Sequence, residues 1–269
     1  MKVLDIYSKK DLDMITCRGE SVSSIMDNWF SKFPDYYRTN YDKNIEDLTI
    51  WHVDQTYDGE AGYYSPKTKI LIFKNFSSIP HELQHVASYD REKEQMAFVK
   101  NMSYPLFEMA LVEGMAEYLA AKSVNRDVTD SYFECFAVSM LSSINGIFKS
   151  FYVPNHDEFI SLFPNKKDIY SLMYSLDYYR HITDNLENSN ENEILKTREA
   201  IKNTVDSLID IELSFNKGLV ERKRYADKFM ELLNNVNLKD ILEDIDEDYI
   251  DYAFYEIKKR VLRRRKWVN

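Results

Sequence analysis

Glycine and proline are both scarce in this sequence, and each occurs six times in 269 residues. Folds built from many short strands need such turn residues at short intervals, so their scarcity favours long helices. Apolar residues make up 44% of the chain, which is enough for a hydrophobic core and excludes a mostly disordered protein. The composition predicts a mainly helical globular protein of one large domain or two small ones.

Cysteine is scarcer still. Cys17 and Cys135 are the two cysteines of the chain, and they lie far apart in the sequence. Two thiols cannot form a disulfide framework or a four-thiolate metal site. We expect both to be reduced and structural.

Long hydrophobic runs are also missing. No stretch of about 18 apolar residues occurs, and the first twenty residues lack the uninterrupted apolar segment of a secretory signal. A cytoplasmic protein without a membrane span is therefore the default expectation. The net charge of −10 would repel phosphate backbones, so we expect no nucleic-acid partner for the fold as a whole.

A local exception to the acidic character lies near the C-terminus. The run Lys258–Lys266 carries seven basic residues and follows the acidic stretch 239–251. It could contact anionic lipid or nucleic acid, but a basic helix end also complements the helix dipole and can pair with the preceding acids. We favour the structural interpretation of this run.

The apolar pattern divides the chain into a small N-terminal sheet followed by helices. A helix is predicted over 21–33, and short runs of β-branched and aromatic residues predict strands at 47–54 and 68–73. We divide the chain into residues 1–125, which contain the sheet, and a helical lobe, residues 126–269; one continuous domain is the alternative. The helices predicted after the sheet cover 78–90, 104–123, 130–150, 167–185, 194–214, 218–235 and 247–265.

Residues 81–85 read His-Glu-Leu-Gln-His, the HExxH pattern. On a helix, positions i and i+4 lie on the same face, so His81 and His85 can bind one metal ion while Glu82 points to the space beside it. A helix is expected here on independent grounds, because a serine can cap it and a proline suits its first turn. The pattern predicts a zinc site.

A hydrolytic zinc site takes three protein ligands and keeps a fourth position for water, so a third ligand is needed. The extended HExxHxxGxxH pattern is excluded, because residues 88 and 91 are serine and arginine. Glu113 and Glu117 lie in an otherwise apolar or small run, where carboxylates are costly unless a cation or a donor meets them. Zinc bound by Glu113, with Glu117 accepting the free N–H of a ligating imidazole, would satisfy both. Glu108 and Glu117 compete with Glu113 as the ligand.

The segment HELQH, followed by EGMAEYLA at 113–120, resembles the gluzincin branch of the zincin metallopeptidases. The resemblance covers about 60 residues, from near Gly62 to Ala121. It implies an α+β, mainly helical protein with a zincin-like catalytic core, a small sheet, an active-site helix and a helical C-terminal lobe. In that core His81, His85 and Glu113 would ligate Zn²⁺, Glu82 would be the catalytic base, and Glu117 would support His81.

The activity implied by the resemblance is hydrolysis of a peptide or protein substrate. Glu82 would take a proton from a zinc-activated water and return it to the leaving nitrogen. The stretch 61–73 would supply a strand whose exposed edge binds an extended peptide by strand addition. In one related group a tyrosine donates to the oxyanion, and the candidates here are Tyr170 and Tyr174, with His181 as a rival.

Two other classes of function are compatible with the sequence. The metal site could belong to a protein that binds or senses peptide without hydrolysis, although a purely structural site needs no base and closes all four positions with protein ligands. The second alternative is a helical interaction module that uses the basic C-terminal run. His52 and His156 stand isolated in polar surroundings, and we expect both to face solvent.

Overall fold

The computed structural model describes residues 1–56, 61–100, 108–129, 131–184 and 191–215. The helices predicted at 218–235 and 247–265, together with the basic run, lie outside these residues. Contacts divide the described chain into two compact units. Unit 1 contains the described residues up to 100, with 115–129 and 146–157, and unit 2 contains 108–114, 131–145 and the described residues from 158 onward.

The described residues form strands of two to five residues and α-helices of six to 24 residues. The strands are β1 (Val3–Tyr7), β2 (Thr16–Cys17), β3 (Glu20–Ser21), β4 (Thr49–Val53), β5 (Gly62–Ser65), β6 (Ile70–Phe73), β7 (Tyr89–Asp90) and β8 (Gln95–Met96). The helices are α1 (Val22–Phe30), α2 (Thr39–Ile45), α3 (Ile79–Ser88), α4 (Met109–Ser123), α5 (Tyr132–Leu141), α6 (Ile147–Tyr152), α7 (His156–Ser161), α8 (Lys166–Asp184) and α9 (Glu191–Ser214). The expectation of a mainly helical α+β chain with a small sheet is confirmed.

The main sheet of unit 1 has the strand order β1-β4-β6-β5. β4 and β6 are parallel, whereas β1 pairs antiparallel with β4 and β5 pairs antiparallel with β6. Gly62 of β5 lies opposite Phe73 of β6, and Ser65 lies opposite Ile70. Because β5 ends the strand order, it is an edge strand of this sheet.

Helix α3 lies in the core of unit 1, where it packs against α1, α2, α6 and β5. Every residue of α3 except His81 is buried. The buried Asn44 side chain, on α2, donates to the carbonyl oxygens of Val86 at 2.7 Å and Tyr89 at 2.6 Å. These bonds satisfy carbonyls at the C-terminal end of α3, where a helix has no partners of its own.

A second buried contact fixes the middle of α3. The Tyr152 hydroxyl, on α6, donates to Gln84 Oε1 at 2.6 Å and accepts from Trp29 Nε1 at 2.7 Å. Tyr152 is among the largest fully buried side chains, so its hydroxyl needs such partners. Gln84 lies between His81 and His85 in the sequence. Its hydrogen bond with Tyr152 therefore fixes the segment that carries both imidazoles.

Unit 2 is built on α8 and α9, which pack along each other, and α5 packs against α9. Aromatic contacts strengthen this core: the Phe133 ring lies 4.7 Å from that of Tyr179, centroid to centroid. Helix α4 runs through both units, because its residues up to Gly114 group with unit 2 and its remainder groups with unit 1. None of the helices in the described ranges has both the length and the apolar character needed to span a membrane.

Most predicted elements are present, but some expectations need correction. The single helix predicted at 130–150 is wrong: Gly146, with φ of +90°, separates α5 from α6. The prediction also omits several elements: β1, which pairs with β4 along its length, together with β2, β3, β7, β8, α2 and α7. His156 does not face solvent; it is buried, and its Nδ1 lies 2.8 Å from the Phe98 carbonyl oxygen. The polar stretch 185–193 predicts an exposed loop between helices. Its residues 185–190 lie outside the described residues, and α9 begins at Glu191.

Candidate metal centre

His81 and His85 lie one turn apart on α3, and Glu113 lies on α4. Each offers one ligand atom, and these atoms all lie within 4.8 Å of one another. The two imidazole Nε2 atoms are 3.1 Å apart, close to the roughly 3.3 Å that two nitrogens about 2.0 Å from a tetrahedral zinc would have. Two imidazoles and a carboxylate are donors that zinc prefers. The three side chains therefore fit a metal ion.

The second acidic residue of α4, Glu117, lies beside His81. Its Oε2 is 3.3 Å from His81 Nδ1, and only 2% of the Glu117 side chain is exposed. A carboxylate that accepts the Nδ1–H of an imidazole fixes the ring and its tautomer, which leaves the Nε2 lone pair for a metal. Since Glu113 precedes Glu117 by one helical turn, both carboxylates face α3.

Glu117 is held in turn by residues that follow α4. Arg126 donates from Nη1 to Oε1 at 2.6 Å and from Nη2 to Oε2 at 3.0 Å, and the Thr129 N–H donates to Oε1 at 2.9 Å. Burial alone would raise the pKa of Glu117, but the hydrogen bonds from His81, Arg126 and Thr129 and the charge of Arg126 together lower it to about 2. The Glu117 carboxylate is thus ionised and fixed in place, as a buried charge must be.

Two close contacts in unit 2 fix the part of α4 that carries Glu113. A Cβ placed on Gly114 would lie 2.6 Å from Glu134 Cβ, so α4 and α5 approach each other without room for a side chain at residue 114. At the start of α4, the Asp177 carboxylate of α8 accepts the backbone N–H groups of Glu108 at 2.5 Å and Ala110 at 2.9 Å. Asp177 therefore supplies the cap that satisfies free N–H groups at this helix end.

The cap at Asp177 leads to a pH-dependence of stability. Burial raises the pKa of Asp177 from 3.8 to about 6, although the two backbone N–H groups oppose this shift. Because its pKa is raised on folding, protonated Asp177 contributes to the stability of the folded state. This contribution is fully present below about pH 4 and is lost as the pH rises through about 6. Asp177→Asn removes this titration. Between about pH 4 and about pH 7 we expect the free energy of unfolding of the variant, relative to wild type, to rise by about 2 kcal/mol.

Urea unfolding of the two proteins at a series of pH values measures this difference. Comparison with wild type at each pH is needed, because other carboxylates with lowered pKa values, such as Glu117, change stability in the opposite direction. A stability difference that stays constant over the whole pH range would contradict the buried titration of Asp177.

Glu82, the residue after His81, is buried on α3 with 5% of its surface exposed. Its carboxylate lies against the backbone of the edge strand β5: a Cβ built on Gly62 would be 2.6 Å from Glu82 Oε1. The candidate base therefore lies between the helix with both imidazoles and a strand edge.

Comparison of the chain with protein-family models, with curated proteins and with solved structures gives no match.

The remaining candidate residues lie elsewhere. Glu108, the competing ligand, is buried with φ of +75° and is not in the described metal group, which contains Glu113. Tyr170 and Tyr174 lie on α8 with 45% and 58% of their surfaces exposed, and His181 is also exposed on this helix. Their role at an oxyanion stays a prediction. The half-buried His52 ring stacks on Phe73 with centroids 4.9 Å apart, so it does not simply face solvent as expected.

Sequence reasoning missed the residues that support the site from outside the two motifs. Arg126 lies nine positions after Glu117, and Asp177 lies 67 positions after Ala110. A buried carboxylate on an apolar helix does signal that a cationic partner exists, but spacing alone does not identify that partner. We also expected a serine side chain to cap the start of α3. The Ser78 hydroxyl instead lies within donating distance of the Ala61 and Asn75 carbonyl oxygens, and it does not cap the helix.

Proposed function

We propose that the chain is a zinc-dependent metallopeptidase with a zincin-like core, in which Glu82 is the general base. One observation carries the proposal: the ligand atoms of His81 and His85, on α3, and of Glu113, on α4, lie within 4.8 Å of one another. Two imidazoles at i and i+4 with a carboxylate from a second helix leave a position for water, as hydrolytic zinc sites do. The resemblance of the two motifs to the gluzincins supports the same assignment.

Zinc in such a site supplies a Lewis acid that lowers the pKa of water to about 7 and polarises a carbonyl oxygen. The protein supplies the proton transfers. Glu82 takes a proton from the attacking water and returns it to the leaving nitrogen, so one carboxylate serves both half-steps. Its position next to His81 in the sequence, on the same helix as both imidazoles, favours this role over that of a structural glutamate.

The edge strand β5 supports a peptide as the substrate. An edge strand presents unpaired N–H and C=O groups, to which an extended peptide can add as a further strand. The backbone of β5 lies directly against the Glu82 carboxylate at Gly62. A peptide bound along this edge would therefore pass close to the base, and its backbone would be recognised independently of its sequence.

Identification of new protein termini tests the proposal. The full chain is incubated with a complex peptide mixture in its zinc-loaded form, after removal of metal by a chelator, and after zinc is added back. We expect new internal cleavages with zinc, none after chelation, and recovery of the same cleavages on reloading. The metal content of each sample is measured in parallel.

The outcome separates the proposed peptidase from its main alternative. Zinc bound at one equivalent without any zinc-dependent cleavage, together with retention of peptides on the loaded protein, would indicate a non-hydrolytic peptide-binding protein. Failure to bind zinc at all would contradict both.

A further inference from the structure

Gly62 is the first residue of β5, and its position there is not explained by backbone conformation. A glycine is required where φ is positive, but the φ of Gly62 lies outside that region. In an ordinary strand conformation a glycine weakens the strand and commonly marks a close approach of another group. Here the approaching group is a side chain. A Cβ at residue 62 would lie 2.6 Å from Oε1, 2.9 Å from Cγ and 3.0 Å from Cδ of Glu82.

The backbone at this point of β5 is tied to its surroundings. The Ala61 carbonyl oxygen accepts the Lys74 N–H at 2.9 Å and the Ser78 hydroxyl at 3.0 Å. Ser78 immediately precedes α3, and Lys74 immediately follows β6. Residue 62 is therefore fixed relative to the helix that carries Glu82. If a methyl group were added there, the strand could not move freely to relieve the crowding.

We infer that Gly62 is a positioning residue for the general base: the missing side chain lets the Glu82 carboxylate rest against β5, and the fixed strand keeps it there. The inference rests on the proposed function of Glu82. An added methyl group would push the carboxylate away by roughly 1 Å, because ordinary contact begins near 3.4 Å and the added Cβ would lie 2.6 Å from Glu82 Oε1. All three crowded atoms belong to a flexible side chain, so the base would move while the fold persists.

The test is a double-mutant cycle at residues 62 and 82. In the zinc-loaded protein, we expect Gly62→Ala to reduce kcat by about 100-fold, since a displacement of about 1 Å at a reacting group has this effect, with KM and zinc content unchanged. Glu82→Ala removes all three crowded atoms and so leaves room for the methyl group. Adding Gly62→Ala to Glu82→Ala should therefore cause no further loss of the residual activity. Thr68→Ala, at an exposed position in the turn between β5 and β6, is the control and should keep wild-type kcat.

A readout that needs no activity accompanies the cycle. The crystal structure of Gly62→Ala should show β5 in place and the Glu82 carboxylate displaced. The inference is overturned if Gly62→Ala keeps wild-type kcat, if it loses the same factor in both backgrounds, or if the carboxylate has not moved. Absence of hydrolysis in the wild-type protein would instead overturn the proposed function, and the displacement of Glu82 would then still decide whether Gly62 positions it.

Discussion

Replacement of Glu82 by glutamine is expected to lower peptide hydrolysis by about 10²- to 10⁴-fold, the usual contribution of a positioned acid–base group. Glutamine has nearly the same shape as glutamate, so it fits the same space beside Gly62. Its amide cannot accept a proton at neutral pH, so it neither activates water nor protonates the leaving nitrogen. Since Glu82 is not in the metal group, zinc content and thermal stability should stay close to those of wild type.

A matched control makes this result specific. Glu92→Gln makes the same chemical change in unit 1, at a side chain that is 79% exposed and paired with Lys43; it should keep wild-type activity. The comparison uses initial rates on one peptide substrate, with zinc content measured for each protein. Full activity in Glu82→Gln would reject Glu82 as the base, and loss of zinc in this variant would assign it a role in metal binding.

The helices that carry the site could be predicted because their signals are local. α3 contains the HExxH spacing, and α4 contains two glutamates in an otherwise apolar run, so each segment shows both its helical period and its chemistry. The pairing of the two helices was predicted from the cost of burying carboxylates: a metal ion held by the imidazoles would meet Glu113, and the free N–H of an imidazole would meet Glu117. These inferences depend on residues within single elements.

The features that could not be predicted depend on contacts between distant segments. β1 is mostly apolar in sequence, but its central residues Leu4, Asp5 and Ile6 are all exposed, so it lacks the alternation of apolar and polar residues that marks a half-buried strand. Its pairing with β4 makes it a strand. The break between α5 and α6 at Gly146 was not predicted, because the helical spacing of apolar residues continues on both sides of this glycine. One glycine in a helical pattern costs only about 1 kcal/mol, so the sequence alone favoured a single helix.

The support of the site shows the same limit at the level of single side chains. Glu117 signals that it needs a partner, but Arg126 could be identified only from the structure. Gly62 is different, because a glycine among strand-forming residues is itself a signal of close backbone approach. The sequence therefore indicates that a group approaches residue 62 closely. It does not identify that group as Glu82, which is known only from the packing of β5 against α3.

Glu113→Gln should weaken zinc binding by at least about 100-fold, more than the loss of a residue that only supports a ligand. A neutral amide lacks the negative charge that makes a carboxylate a zinc ligand, while its similar size preserves the packing of α4. Competition with a chromophoric chelator measures the affinity, and hydrolysis should disappear at zinc concentrations that saturate the wild-type protein.

Glu108→Gln is the matched variant, because Glu108 competed with Glu113 as the third ligand in the sequence. Its backbone N–H, which donates to Asp177, is retained in the variant, so the start of α4 keeps its cap and the zinc affinity should remain near that of wild type. Thermal unfolding of the metal-free proteins checks that neither substitution acts by unfolding the chain. If zinc is lost from Glu108→Gln and kept by Glu113→Gln, the third ligand is Glu108, which lies five residues before Glu113 and immediately before the first residue of α4.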